Sequence, residues 1–249
     1  MPREKLVAIQ PRAPQARRLQ KGMLEYHDFR SQRDAAPLRR QIDELGLWQS
    51  QRLKDTHRDL YQAPHYREGL DFLLEDLYNP RAYERRDEDF ERVFPTMVRL
   101  LPDSVLAIAA DLVELNLLTQ KLDRQLAHVL HHDLPAEALN RESYAEAFRM
   151  SADADQRYRQ IALVAVIGAN LQRYVDRRSL RVALRMTEGA AEMAGVGELH
   201  RFLTRGFRVF REMQGVDRLL EQIVRRETWI MEQIMAGHAL PAELPEDIR

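Results

Sequence analysis

The chain of 249 residues carries 38 lysines and arginines against 39 acids, a formal net charge of -1, which gives nucleic acid or an anionic membrane no global field to follow. Its 45% hydrophobic and 31% charged residues describe an ordinary globular protein and exclude a disordered one. There is no cysteine, which excludes disulfides, thiol nucleophiles and cysteine-bound zinc.

The N-terminus, MPREKLVAIQPRAPQARRLQ, lacks the apolar stretch of a signal peptide. The longest apolar run, Ile161 to Ala169, is too short to span a bilayer. The expectation is a cytoplasmic protein. Residues 1–14 hold prolines and little periodicity and read as a mobile arm. From Gln15 the positions Leu19, Met23 and Tyr26 recur at helical spacing. After Pro37 a second stretch runs through Leu38, Ile42 and Leu45 to Leu53, Leu60 and Tyr61.

A third helix contains GLDFLLEDLYNP, residues 69–80, and should end at Asn79-Pro80, because a residue before proline is biased out of the α region. At about 100° per residue, Tyr66, Leu70, Leu73, Leu74 and Leu77 gather on one side and Glu68, Glu75 and Asp76 on the other. Phe72 falls among the acids. With Glu75, Asp76 and Tyr78 it forms a surface that either lies under a second layer of helices or meets a partner. Asp87 is positioned to cap the next helix, whose inner face is Phe90, Val93, Phe94 and Met97, with Pro95 kinking it.

Asp103 is the expected cap of a long central helix, apolar on nearly every side over residues 105–118 except for a strip at Asp111 and Glu114. Such a helix belongs between neighbours. Asn140 opens a short helix to Met150, and a longer one runs from about Asp153 to Val175. Within it Ala162, Ala165, Gly168 and Ala169 would admit another backbone closely. A segment from Ser179 leaves through EMAGVGELH, and Leu199, Phe202, Leu203, Phe207 and Phe210 line the helix that follows. Leu219, Ile223, Ile230 and Ile234 line the last one. Residues 239–249 form a polar, proline-containing tail expected to fray. The sum is an all-α bundle of about nine or ten helices in one domain, residues 15–238, with no strand.

Chemistry-bearing patterns are few. None of the eight histidines has a glutamate three residues before it, so the Glu-x-x-His pair of a di-iron bundle is missing. His128 and His132, four apart in HVLHH, share a helix face, which is the spacing two metal ligands need. At the end of a helix, the same histidines suit its macrodipole. No nucleophile elbow, P-loop or dinucleotide fingerprint occurs. Asn116 is a lone amide in the apolar central helix, either a pocket contact or a partner for another buried polar group. Phe202, Phe207 and Phe210 could wall a pocket for a lipid or a haem-like cofactor, though their spacing is equally that of a core helix. Arg12, Arg17, Arg18, Lys21, Arg30, Arg33, Arg39 and Arg40 concentrate near the N-terminus without interleaved aromatics, as a solvated basic face does.

Three segments, QSQRLKDTHRDLYQAPHYREGLDFLLEDLY, ERRDEDFERVFPTMVRLLPDSVL and ELNLLTQKLD, together resemble a family of uncharacterised proteobacterial proteins known by an FFLEELY motif. The motif reads FLLEDLY at residues 72–78, with Leu73 for the second aromatic and Asp76 for the second glutamate. The resemblance is clearest over residues 49–123. It implies a real domain and carries no assigned activity or catalytic residue.

These readings favour a non-catalytic helical binding protein without a cofactor, whose partner is a second copy of itself or another protein. No membrane or nucleic acid enters that reading. Residues 105–118 and 161–169 are more apolar than one face of a monomer requires. The alternatives are an apolar pocket for a hydrophobic ligand, and a metal-dependent enzyme built on His128 and His132.

Overall fold

A computed structural model describes residues 3–33, 38–73, 94–99, 101–134, 139–151, 153–175, 182, 185–186, 188–189, 192–193, 197–213 and 215–249. Every regular element among them is helical, as the spacing predicts: α1 (Arg3–Ala8), α2 (Pro14–Arg33), α3 (Arg39–Thr56), α4 (Arg58–Gln62), α5 (Pro64–Asp71), α6 (Asp103–His128), α7 (Arg141–Ser151), α8 (Ala154–Val175), α9 (Gly197–Glu212) and α10 (Val216–Met235). A turn of π-helix, Val129–Asp133, extends α6. Residues 94–99 are also helical and bury Phe94 completely.

The long helix α6 organises the bundle. It packs along α2 on one side and α8 on another, with α3 and α7 against it as well. The all-round apolarity of residues 105–118 is thereby used inside one chain. Leu19 and Met23 of α2 pack with Leu106, Ala109 and Ala110 of α6. Leu126 and Ala127 meet Leu45, Tyr144, Phe148, Ile230 and Ile234, so α3, α6, α7 and α10 share a second core. A third lies between α4, α5, α9 and α10, around Leu60, Leu70, Phe72, Phe210 and Leu219.

Caps show which local signals acted locally. The Asn140 side chain accepts from the Ser143 N–H at 2.9 Å and the Ser143 hydroxyl accepts from Asn140 N–H at 3.0 Å, a reciprocal capping box. Asp153 accepts from both the backbone and the side chain of Gln156 at the start of α8. Asp103 departs from expectation. It lies inside the first turn of α6, after Pro102, and its carboxylate accepts from the Gln15 N–H at 3.1 Å. The residue predicted to cap its own helix caps α2 instead.

Both chain ends differ from the expected mobile arm and frayed tail. Leu6 of α1 is buried, and the Gln20 amide donates to the carbonyls of Leu6 and Ile9, fixing α1 on α2. Arg3 reaches Asp28 at 2.7 Å. At the other end Leu240 and Leu244 are buried against α7 and α10, and Arg225 donates to the carbonyls of Ile248 and Arg249. One apolar residue every fourth position, at 240, 244 and 248, is enough to hold this tail.

Candidate functional site

The opening motif is described only through Leu73, so Glu75, Asp76 and Tyr78 lie outside the described residues. Phe72 can be placed. The chain leaves α5 in π-helical turns at Phe72 and Leu73, which displaces the side chains beyond Asp71 from an ideal 3.6-residue wheel. The Phe72 ring is 3% exposed and stands edge-on to Phe210, centroids 5.7 Å apart. Arg205 caps it at 5.8 Å. A helix layer, α9, therefore covers Phe72. Gly206 makes the approach possible, since a Cβ there would come within 2.7 Å of Phe72 Cζ, and a rigid ring has no way to yield.

Of the pocket candidates, Phe210 is buried and Phe207 partly so, both in the core that holds Leu70 and Val209. The Phe202 side chain lies outside the described residues. Asn116 accepts from the Gln120 amide at 2.9 Å, and Gln120 also donates to the Tyr26 hydroxyl at 3.0 Å, so the lone amide belongs to a polar chain between α2 and α6.

His128 and His132 stack at 4.6 Å between ring centroids, with His131 5.0 Å from His132, all exposed. Asp133 lies 3.8 Å from His128 Nδ1. Among the described residues no three His, Asp or Glu side chains are arranged to hold a metal ion. The two histidines instead border an open cleft of about 530 Å³ with Leu38, Arg124, Gln125, Val129 and Ser151.

The densest polar arrangement is one that residue spacing did not single out. Arg52 of α3 grips Glu227 of α10 at 2.6 and 2.7 Å, and His57 Nε2 stands 2.9 Å from the same carboxylate. Burial alone would raise the Glu227 carboxyl, but the Arg52 charge and the His57 hydrogen bond overcome it and hold it at about 2. Because that carboxylate is ionised at neutral pH, His57 Nε2 must be the donor. Next to it, Arg226 is 1% exposed and pairs with Asp59 through two 2.7 Å bonds. Deeper in, the Gln49 amide donates to Asp123 at 3.1 Å. Burial pushes the Asp123 carboxyl up to about 6, against the opposing pull of Arg157 and Gln49. Arg157 is buried over the Phe148 ring at 4.4 Å, with no hydrogen-bond partner for Nε or Nη2 among the described residues. Tyr144 lies among these charges, stacked on Trp48 at 4.6 Å, and burial raises its hydroxyl.

The sequence did hold one signal for this network. Leu219, Ile223, Ile230 and Ile234 form the core stripe of α10, and Arg226 occupies the stripe position between Ile223 and Ile230. An arginine in register with a buried face needs a buried or rim carboxylate. Chemically the network ties α3, α4, α6, α8 and α10 by charge, with the rings of Tyr144 and Phe148 on α7 packed among those groups.

Asp123 predicts a pH effect. Its folded pKa lies above the ordinary carboxylate value of 3.8, so the folded protein takes the proton first. The ionised group costs the fold roughly 3 kcal/mol above about pH 6, and stability rises as the pH falls from about 6 toward 4. Glu227 acts in the opposite sense, since its folded pKa is depressed: its stabilisation is present above about pH 4.5 and is lost as the pH falls toward 2. Urea unfolding should show the Asp123 contribution as a gain in stability between about pH 6 and pH 4. In Asp123→Asn the rise on the acidic side of pH 6 should vanish; an unchanged slope would place the titrating group elsewhere.

A different kind of site lies on α8. Its inner positions Leu163, Ile167 and Gly168 are buried, and Leu220 of α10 fills the space that a Cβ on Gly168 would take. Its outer positions Tyr158, Ala162, Ala165, Val166 and Ala169 are exposed. From Gln160 to Gln172 there is no charged residue. In a chain that is 31% charged, three turns of exposed helix without a charge are unusual. Arg159, at the edge of this face, reaches across to Glu114 at 2.7 Å, and Arg18 of α2 closes on Glu114 and buried Asp111.

No curated protein and no solved structure matches the chain significantly. A family model described as a domain of unknown function, DUF8198, matches residues 28–241. That span takes in everything from the second half of α2 to the start of the packed tail, and the chain belongs to this family.

Proposed function

We propose that the protein acts by binding, without covalent chemistry, as a cytoplasmic helical interaction protein that associates with a second copy of itself. The observation that carries this reading is the charge-free outer face of α8, exposed over Ala162, Ala165, Val166 and Ala169. Apolar surface of this kind, on a helix whose inner side is already satisfied, is stabilised when another surface covers it. The residues FLLEDLY at 72–78 resemble the FFLEELY motif, which supports kinship with that group. Light scattering on the full chain over a range of concentrations should show mass rising from one chain toward two. A mass of one chain at every concentration up to the millimolar range would sink the proposal.

A second reading rests on the cleft beside the π-helical turn. Leu38 and Val129 supply apolar wall while the Arg124 cation and the ring nitrogens of His128 and His132 supply a polar rim, which suits a small acid with an apolar body. Octanoate titrated into the protein should shift the imidazole resonances of His128 and His132; unmoved resonances would remove this reading.

A further inference from the structure

We propose that two copies pair through α8 in antiparallel fashion about a twofold axis beside Val164. The proposal rests on the self-association reading and adds its geometry. On a wheel of 100° per residue, Asp155, Tyr158, Ala162, Ala165, Val166, Ala169 and Arg173 fall on one face of α8. The middle of that face is apolar, with Asp155 at its N-terminal end, Arg173 at its C-terminal end, and Arg159 at its edge neutralised by Glu114. Asp155 and Arg173 are exposed. Residues 155 and 173 are equally far from 164. Antiparallel pairing centred there therefore sets Asp155 of each copy against Arg173 of the other, giving two ion pairs from one contact. A parallel pair would oppose like charges at both ends. An isologous twofold contact requires this kind of self-complementary surface, and the face has it.

Shape points the same way. Alanines at 162, 165 and 169 keep the face low, so two helices can approach at the short end of the usual 8–10 Å range. Tyr158, whose hydroxyl donates to Glu232 of α10 at 3.2 Å, borders the face on the α10 side. From 155 to 173 the helix is about 27 Å long at 1.5 Å per residue. Such a strip is smaller than a standard interface of about 800 Å² per partner, so the pairing should depend on concentration, with dissociation near the micromolar range.

The absence of cysteine makes a clean probe available. In the full chain, Ala165→Cys places the two thiols about 3 Å apart along the axis of an antiparallel pair, and Ala169→Cys about 15 Å apart. A disulfide needs Cα atoms within about 4.4–6.8 Å. Mild oxidation should link the Ala165→Cys protein into dimers and leave the Ala169→Cys protein unlinked, each with the helical content of the parent by circular dichroism. Linking at both positions would mean a parallel pair and overturn the geometry. Linking at neither, with the parent dimeric by light scattering, would move the interface away from α8 and leave self-association standing. A parent that stays monomeric overturns both. As an independent arm, Asp155→Arg should weaken dimerisation about three- to tenfold, and adding Arg173→Asp should restore it. Failure of the double variant to recover would overturn the charge pairing.

Discussion

Glu227→Gln is expected to destabilise the protein by about 3–5 kcal/mol, read as a shift in the denaturant midpoint. The Glu227 side chain is 16% exposed and the Arg52 side chain 12%. The substitution keeps the volume and removes the charge, so the largely buried Arg52 guanidinium loses the attraction of Glu227. His57 loses its anionic acceptor at the same time. Buried pairs contribute little when compared with apolar replacements, but removing one member is costly. A double substitution, Arg52→Met with Glu227→Met, should recover much of the loss. A single-variant loss below about 1 kcal/mol would show that water reaches the pair and screens it.

Phe72→Ala carries a comparable expectation, about 3–5 kcal/mol, by loss of buried area and the cavity left under α9. The ring fills the space that Gly206 leaves open and meets Phe210 edge-on. Phe72→Leu should cost less, since it refills part of the volume. If Phe72 served a partner instead, the alanine variant would keep its unfolding midpoint and lose only association. Measuring both the midpoint and the mass by light scattering separates these outcomes.

The distance in sequence between partners decides why the helices are legible and the network is not. Leu19 and Met23, or Leu219, Ile223, Ile230 and Ile234, repeat at three and four residues, and the fold uses that repeat directly. Asn140 and Asp153 act on residues three positions away, within reach of local reading. Asp103 acts on Gln15, 88 residues distant, and no window along the chain contains both. Arg52 and Glu227 are 175 residues apart, and each alone resembles the wet side of a helix. An ideal wheel puts Phe72 on the polar side, whereas the chain turns π-helical at Phe72 and the ring packs under α9. Leu240 and Leu244 were hidden among prolines and acids, where composition outweighed a four-residue repeat.

The clasp between Asp103 and Gln15 also bears on the order in which the chain can fold. Helix α2 leaves the ribosome before the surface it packs on, α6, which follows 88 residues later. At roughly 5–20 residues per second, α2 waits on the order of 4 to 18 s with Leu19 and Met23 facing water. Local helix formation takes microseconds or less, so this interval is long on the chain's own clock. The core between α2 and α6 therefore has to await the emergence of α6.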